Sequence, residues 1–177
     1  MSLSAPSKFT LREITLFSML GTLVFCAQIA MEALPNVHLT GMFILLFTVV
    51  YRTRALIPLY IYVFLIGVRW GFGVSWIPYL YVWLFLWGAG MLLPKKMSPK
   101  VATFVYPAVC CLHGLLFGVL YAPAQALLFG FDLKTTLAWI AAGFVFDVTH
   151  GAGNLVAGFL ILPLSQVLYR LEKRTKR

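Results

Sequence analysis

Apolar residues in this chain come in six long runs, broken only by short polar or basic joints. The runs are Ile14–Leu34, Val37–Tyr51, Ala55–Val68, Val74–Leu93, Val101–Phe131 and Leu137–Tyr169. At 1.5 Å per residue, a helix needs roughly 20 residues to cross a bilayer core. The second and third runs are short by that measure. The joint Arg52-Thr53-Arg54 between them leaves room only for a tight turn, so they are predicted as two compact helices of a hairpin. The fifth and sixth runs are long, which predicts tilt or an extension beyond the membrane. With no internal repeat and no linker, residues 1–177 form one domain. The expected fold class is an all-α integral membrane protein, a bundle of six transmembrane helices.

Charge adds an orientation. Lys8, Arg12, Arg52, Arg54, Lys95, Lys96, Lys100, Arg170, Lys173, Arg174, Lys176 and Arg177 fall on one side of the alternating joints. Arg69 and Lys134 fall on the other. A split of twelve to two that alternates through every joint predicts both ends inside, because cytoplasmic loops carry the excess of Lys and Arg. Residues 1–12 are then a cytoplasmic lead and 170–177 a basic cytoplasmic tail. The lead is followed by no convincing small-residue cleavage site, so the first helix is expected to stay in the mature protein.

Composition excludes the main soluble alternatives. Residues are 62% hydrophobic and 11% charged, which is too much apolar surface for one soluble core. The net charge of +9 is not the footprint of a nucleic-acid module, because the basic residues sit at the ends of apolar runs rather than on one soluble face. Cys26, Cys110 and Cys111 lie inside apolar runs without metal-binding spacing and read as small packing residues.

Polar side chains inside these runs are few, and at bilayer depth they usually face the bundle interior or mark a solute path. Gln28 and Glu32 close the first run, followed by Pro35, Asn36 and His38; the fifth carries His113 and Gln125. In the sixth, Asp147, His150 and Asn154 stand at i, i+3 and i+7 and share one helix face. Gly143, Gly151 and Gly158 run close to that stripe, which would let another backbone approach. One reading has Asp147 and His150 satisfying each other and packing the helix; the other has the cluster touching a bound solute. Trp70, Trp76, Tyr79 and Tyr81, with Arg69 beside them, form either an interfacial belt or stacking surfaces for a flat ligand. No HExxH, GxSxG or phosphate-binding glycine loop is present, and no nucleophile stands beside a base. Neither enzymatic activity, nor a cofactor, nor a metal site is expected. On the first helix Ser18, Thr22, Cys26 and Ala30 recur every four residues, a small-residue stripe suited to close helix contact.

In size, helix number, basic inner loops and this first-helix stripe, the chain resembles the substrate-binding S components of energy-coupling factor (ECF) transporters. The stretch from Leu34 to Trp87 carries most of the likeness, including Leu34-Pro35-Asn36, the run from Tyr79 to Trp83 and the short second helix. Ser18, Thr22 and Cys26 stand where the family commonly shows Ala-x-x-x-Ala. The resemblance implies a subunit in the bacterial plasma membrane that captures a vitamin or related micronutrient from outside. It implies delivery together with a transmembrane coupling subunit, docked on Ser18, Thr22 and Cys26, and two ABC-type ATPases. It places the substrate site toward the outer side, among Glu32, Asn36, His38, Arg69, Trp70, Trp76, Tyr79, Gln125, Asp147, His150 and Asn154. Thiamine, riboflavin, a pyrimidine or deazapurine precursor and cobalamin all suit such a set. The competing expectation is a small structural or assembly membrane protein without a solute ligand.

Overall fold

The computed structural model describes residues 9–175, and among these every regular element is helical. The helices are α1 (Leu11–Ala30), α2 (Thr40–Tyr51), α3 (Leu56–Trp70), α4 (Tyr79–Leu92), α5 (Pro99–Leu115), α6 (Phe117–Phe129), α7 (Leu133–Gly158) and α8 (Ile161–Thr175), with a 3-10 turn over Arg52–Ala55. Four stretches are long and apolar enough to cross a membrane: Leu11–Ala30, Thr40–Trp70, Pro99–Phe129 and Leu133–Gly158. Tyr79–Leu92 is apolar but shorter. Local chemistry sets several starts. Thr10 and Glu13 form a capping box on α1, Ser98 caps α5 with Pro99 in its first turn, and the Asp132 carboxylate accepts from the N–H of Thr135 at 2.7 Å to open α7.

Within Thr40–Trp70 the chain reverses, as the short basic joint predicts. Tyr51 packs on Phe17 near the start of α1, while Thr40 bonds to Gln28 near its end, so α2 runs antiparallel to α1. Arg54 pairs with Glu13, and Trp70 meets Phe25 at 6.4 Å between ring centroids, so α3 runs parallel to α1. The reversal pivots on Arg52, a non-glycine residue at φ 54°, a conformation that costs energy unless its surroundings hold it. The surroundings do hold it. The Arg52 guanidinium donates to the carbonyls of Gly90 at 3.1 Å, Leu93 at 3.4 Å and Met91, acceptors clustered at the end of α4. Its own carbonyl accepts from Trp87 Nε1 at 3.3 Å.

Helix α2 is the centre of the bundle. Ten of its twelve residues are buried, as befits a helix apolar on every side, and α1, α4, α5 and α8 pack around it. The fifth and sixth apolar runs are not single tilted helices: each is broken. The fifth divides at Leu116, where Gly118, the second residue of α6, turns its N–H to the carboxylate of Asp147 at 3.0 and 3.1 Å. The sixth divides after Gly158, because Pro163 has no N–H to offer the turn before it. Helix α8 then folds back on the bundle, and the Tyr169 hydroxyl donates to the Val49 carbonyl at 2.9 Å.

The α5–α6 arm and α7 run antiparallel and nearly touch backbone to backbone. A Cβ added at Gly114 would lie 2.8 Å from the Gly151 backbone, and one at Gly158 would lie 2.5 Å from Pro107 Cα. Gly143 faces open space instead, so the glycine stripe serves close packing over only part of its length. Arg12, Arg52 and Arg54 gather at the end of the bundle where α1 starts and α2 and α4 finish. Trp70, Trp76, Tyr79 and the 31–39 connection mark the opposite, aromatic end. Lys8, Lys176 and Arg177 lie outside the described residues.

Candidate functional site

Two cavities open at the aromatic end. The larger, about 300 Å³, is bounded by Gln28 of α1, Ile66 and Trp70 of α3, Gly71, Ser75 and Trp76 of the 71–78 connection, Tyr79 of α4 and Tyr121 of α6. The smaller, about 190 Å³, lies under the 31–39 connection among Gln28, Glu32, Pro35, Asn36, His38, Tyr79, Phe117 and His150. Gln28 and Tyr79 belong to both walls, so the two spaces adjoin.

Sequence-local features hold these walls in place. Gly71, at φ 94°, ends α3 in a conformation that side chains disfavour and swings the 71–78 connection across the bundle end. Trp76 is fixed by its Nε1, which donates to the Val63 carbonyl at 2.8 Å, and by an edge contact with Phe72 at 5.0 Å. Tyr121 donates to the Ser75 carbonyl at 2.6 Å and stacks on Trp139 at 6.1 Å. Thr40 donates to Gln28 Oε1 at 2.7 Å, which orients that amide and directs its N–H groups away from Thr40.

Behind the smaller cavity the three histidines meet in an aromatic box. His38 and His150 stand 4.5 Å apart between ring centroids, Phe117 packs on His150 at 4.8 Å, and Trp83 stacks on His113 at 5.4 Å. His113 Nε2 lies 3.0 Å from the Val82 carbonyl, so that nitrogen carries the proton and Nδ1 is left as an acceptor. His113 Nδ1, His38 Nδ1, His150 Nε2, Trp83 Nε1 and Asn154 Oδ1 are buried with no hydrogen-bond partner. Five such atoms close together are unusual, since buried polar groups are almost always paired. Burial, reinforced by nearby His113, pushes the His38 imidazole from its ordinary 6.5 down to about 4, so this ring is neutral at physiological pH. Among the described residues, no group of three or more His, Cys, Asp or Glu side chains has the geometry to hold a metal ion.

Of the residues that the sequence points to, Glu32, Asn36, His38, Trp70, Trp76, Tyr79 and His150 line the cavities. Four do not. Arg69 is exposed and lies over the Trp70 ring at 5.2 Å. Gln125 lines neither cavity but follows Tyr121 by one turn and bonds to the side chain of that wall residue. Asp147 is occupied by the Gly118 N–H, and so is not the partner of His150. Asn154 is fully buried and donates to the Cys110 carbonyl at 3.3 Å, filling the junction of α7, α5 and α2. The wall residues Phe117, Tyr121 and Ser75 fall outside the expected set, and so does Gln28, although it is one of the few polar residues in its run. Phe117, Tyr121 and Gln125 recur every four residues, so the aromatic face of α6 is visible in the spacing once that helix is divided from α5. On α1, Ser18, Thr22 and Cys26 are exposed, while Phe17, Leu20, Gly21 and Val24 face the core. The small-residue stripe therefore does not serve packing within the chain.

Set against known proteins, the chain matches no family model, no curated protein and no solved structure.

Proposed function

We propose that this chain is the membrane-embedded capture subunit of an ECF-type importer. It lies in the bacterial cell membrane as a multi-pass protein of six helices with both ends inside. The observation that carries the reading is the pair of adjoining cavities at the aromatic end, opposite Arg52 and Arg54, lined by the rings of Trp70, Trp76, Tyr79, Phe117 and Tyr121 and by amide, carboxylate and imidazole groups. A site of this composition binds a flat, polar small molecule by stacking and a few directed hydrogen bonds. Cavities of this size suit a heterocyclic vitamin or its precursor better than a corrinoid, whose macrocycle is several times larger.

The reversal at Arg52 supports two separate crossings by α2 and α3, and the broken fifth and sixth runs support one crossing each. At 12 and 14 residues, α2 and α4 cover about 18 and 21 Å, less than the roughly 30 Å hydrocarbon core. The burial of α2 among its neighbours spares it direct contact with lipid. The exposed stripe of Ser18, Thr22 and Cys26 offers a docking face for a transmembrane coupling subunit, which would work with two ABC-type ATPases. The chain itself needs no cofactor and performs no catalysis in this reading.

Affinity purification from the native membrane tests the proposal directly. A coupling subunit and ATPases should copurify, and native mass spectrometry of the isolated chain should reveal a retained small molecule. Thr22→Trp should abolish copurification and uptake while leaving ligand binding intact. Purification of the chain with other membrane proteins but no small molecule and no ATPase would favour an assembly role instead.

A further inference from the structure

Resting on the capture reading, we infer that the two cavities form one bipartite site that selects a planar heterocycle without formal negative charge. The ring occupies the aromatic chamber, and a hydrogen-bonding substituent reaches past Tyr79 toward His38 and His150. The shared walls bring the two together: Gln28 and Tyr79 face both spaces, so only these two side chains stand between the chambers. The two chambers differ in chemistry. Trp70, Trp76, Tyr79 and Tyr121 dominate the larger, whereas Glu32, Asn36, His38 and His150 supply the polar wall of the smaller.

Charge decides the class. No Lys or Arg lines either chamber among the described residues. Arg69 is stacked on Trp70 and exposed, and Lys134 lies in the first turn of α7. The one formal charge in the lining is the exposed carboxylate of Glu32. The imidazoles offer no substitute cation: the His38 and His150 rings stand 4.5 Å apart in a poorly solvated box, burial holds His38 neutral, and the Asp147 carboxylate that could support a proton on His150 is turned to the Gly118 N–H. A phosphate or carboxylate entering here would lose hydration without a countercharge, next to a carboxylate. A neutral or cationic ring system meets neither penalty. The unpaired nitrogens His38 Nδ1 and His150 Nε2 remain free to bond a neutral donor or acceptor on it.

The test uses matched pairs that differ by an anionic group: thiamine with thiamine monophosphate, riboflavin with its 5′-phosphate, and nicotinamide with nicotinate. Each is titrated calorimetrically into the full-length protein in nanodiscs of zwitterionic lipid. In any pair that binds, the member without negative charge should bind tighter by about tenfold or more, the loss expected when a charged group is left unpaired. Glu32→Lys, a change on the exposed connection, should narrow that ratio by bringing a cation into the lining. Equal or tighter binding of the anionic members, or a ratio unmoved by Glu32→Lys, would overturn the inference and leave the capture reading standing. Silence from every pair would overturn the inference alone if native mass spectrometry shows a retained molecule of another class, and would remove both readings if it shows none.

Discussion

Along one face of α7, Asp147 meets the N–H of Gly118 with both carboxylate oxygens, and glycines bring the two backbones together so that it can. One turn further on, His150 keeps an unpaired ring nitrogen beside His38 and a cavity. The same helix thus treats neighbouring polar residues in opposite ways. At the seam with α5 and α6, a costly carboxylate within an apolar run is matched to the N–H of Gly118, which has no partner inside its own helix, and it stabilises the start of α6. Behind the smaller cavity, ring nitrogens of His38, His113 and His150 are buried and unmatched, a condition proteins seldom keep unless something else completes it. A polar residue in an apolar run therefore marks two different things here. At the seam it marks architecture, and at the cavities it marks the place that the proposed capture function assigns to a solute.

The sharpest way to break this contrast is to crowd the seam. Gly114→Ala puts a Cβ against the Gly151 backbone and should destabilise the fold by about 2–3 kcal/mol. Gly143→Ala, on the open side, should change stability by less than about 0.5 kcal/mol. Denaturant unfolding in detergent micelles reads both, and equal effects would deny the seam its special packing. Next in size is Asp147→Ala, which leaves the Gly118 N–H without its acceptor and should cost about 2 kcal/mol of stability. Ligand affinity should hardly move, since Asp147 lines neither cavity. A parallel fall in affinity measured by titration calorimetry would merge the two regions that the structure separates.

Trp76→Ala should show the reverse pattern, with affinity down about tenfold, or about 1.4 kcal/mol, from the loss of one stacking face. Stability should change less, and Trp76→Phe should recover most of the binding. A belt residue would instead leave affinity untouched. The smallest effect concerns acid. An unfolded imidazole takes up its proton near pH 6.5, whereas buried His38 does so only near 4. The unfolded state binds more protons between those values, so this contribution to stability is whole above pH 6.5 and lost as pH falls through 4. Thermal unfolding at pH 7.5 and pH 5 should show the lower midpoint in acid, and His38→Gln should reduce the difference.

Much of this molecule follows from the chain read in one dimension. The length and spacing of the apolar runs dictate helices, because a bilayer-sized apolar segment must satisfy its own backbone. The joint Arg52-Thr53-Arg54 forces the hairpin, since three residues permit no wider connection. Small residues at every fourth position of α1 mark a face, and the structure leaves that face outward. Seven of the eleven residues implicated in a site do reach the cavities, because aromatic and polar residues near run ends collect wherever those ends converge. What the sequence could not decide is which polar groups answer one another. Asp147 and Gly118 are 29 residues apart, and only the antiparallel register of α6 and α7 brings them together. The same register leaves His150, three residues from Asp147, with no such acceptor or donor opposite it. Spacing along a helix fixes the direction in which a side chain points. Whether it meets a partner or a cavity depends on what the neighbouring helix presents at that height, and packing alone determines that.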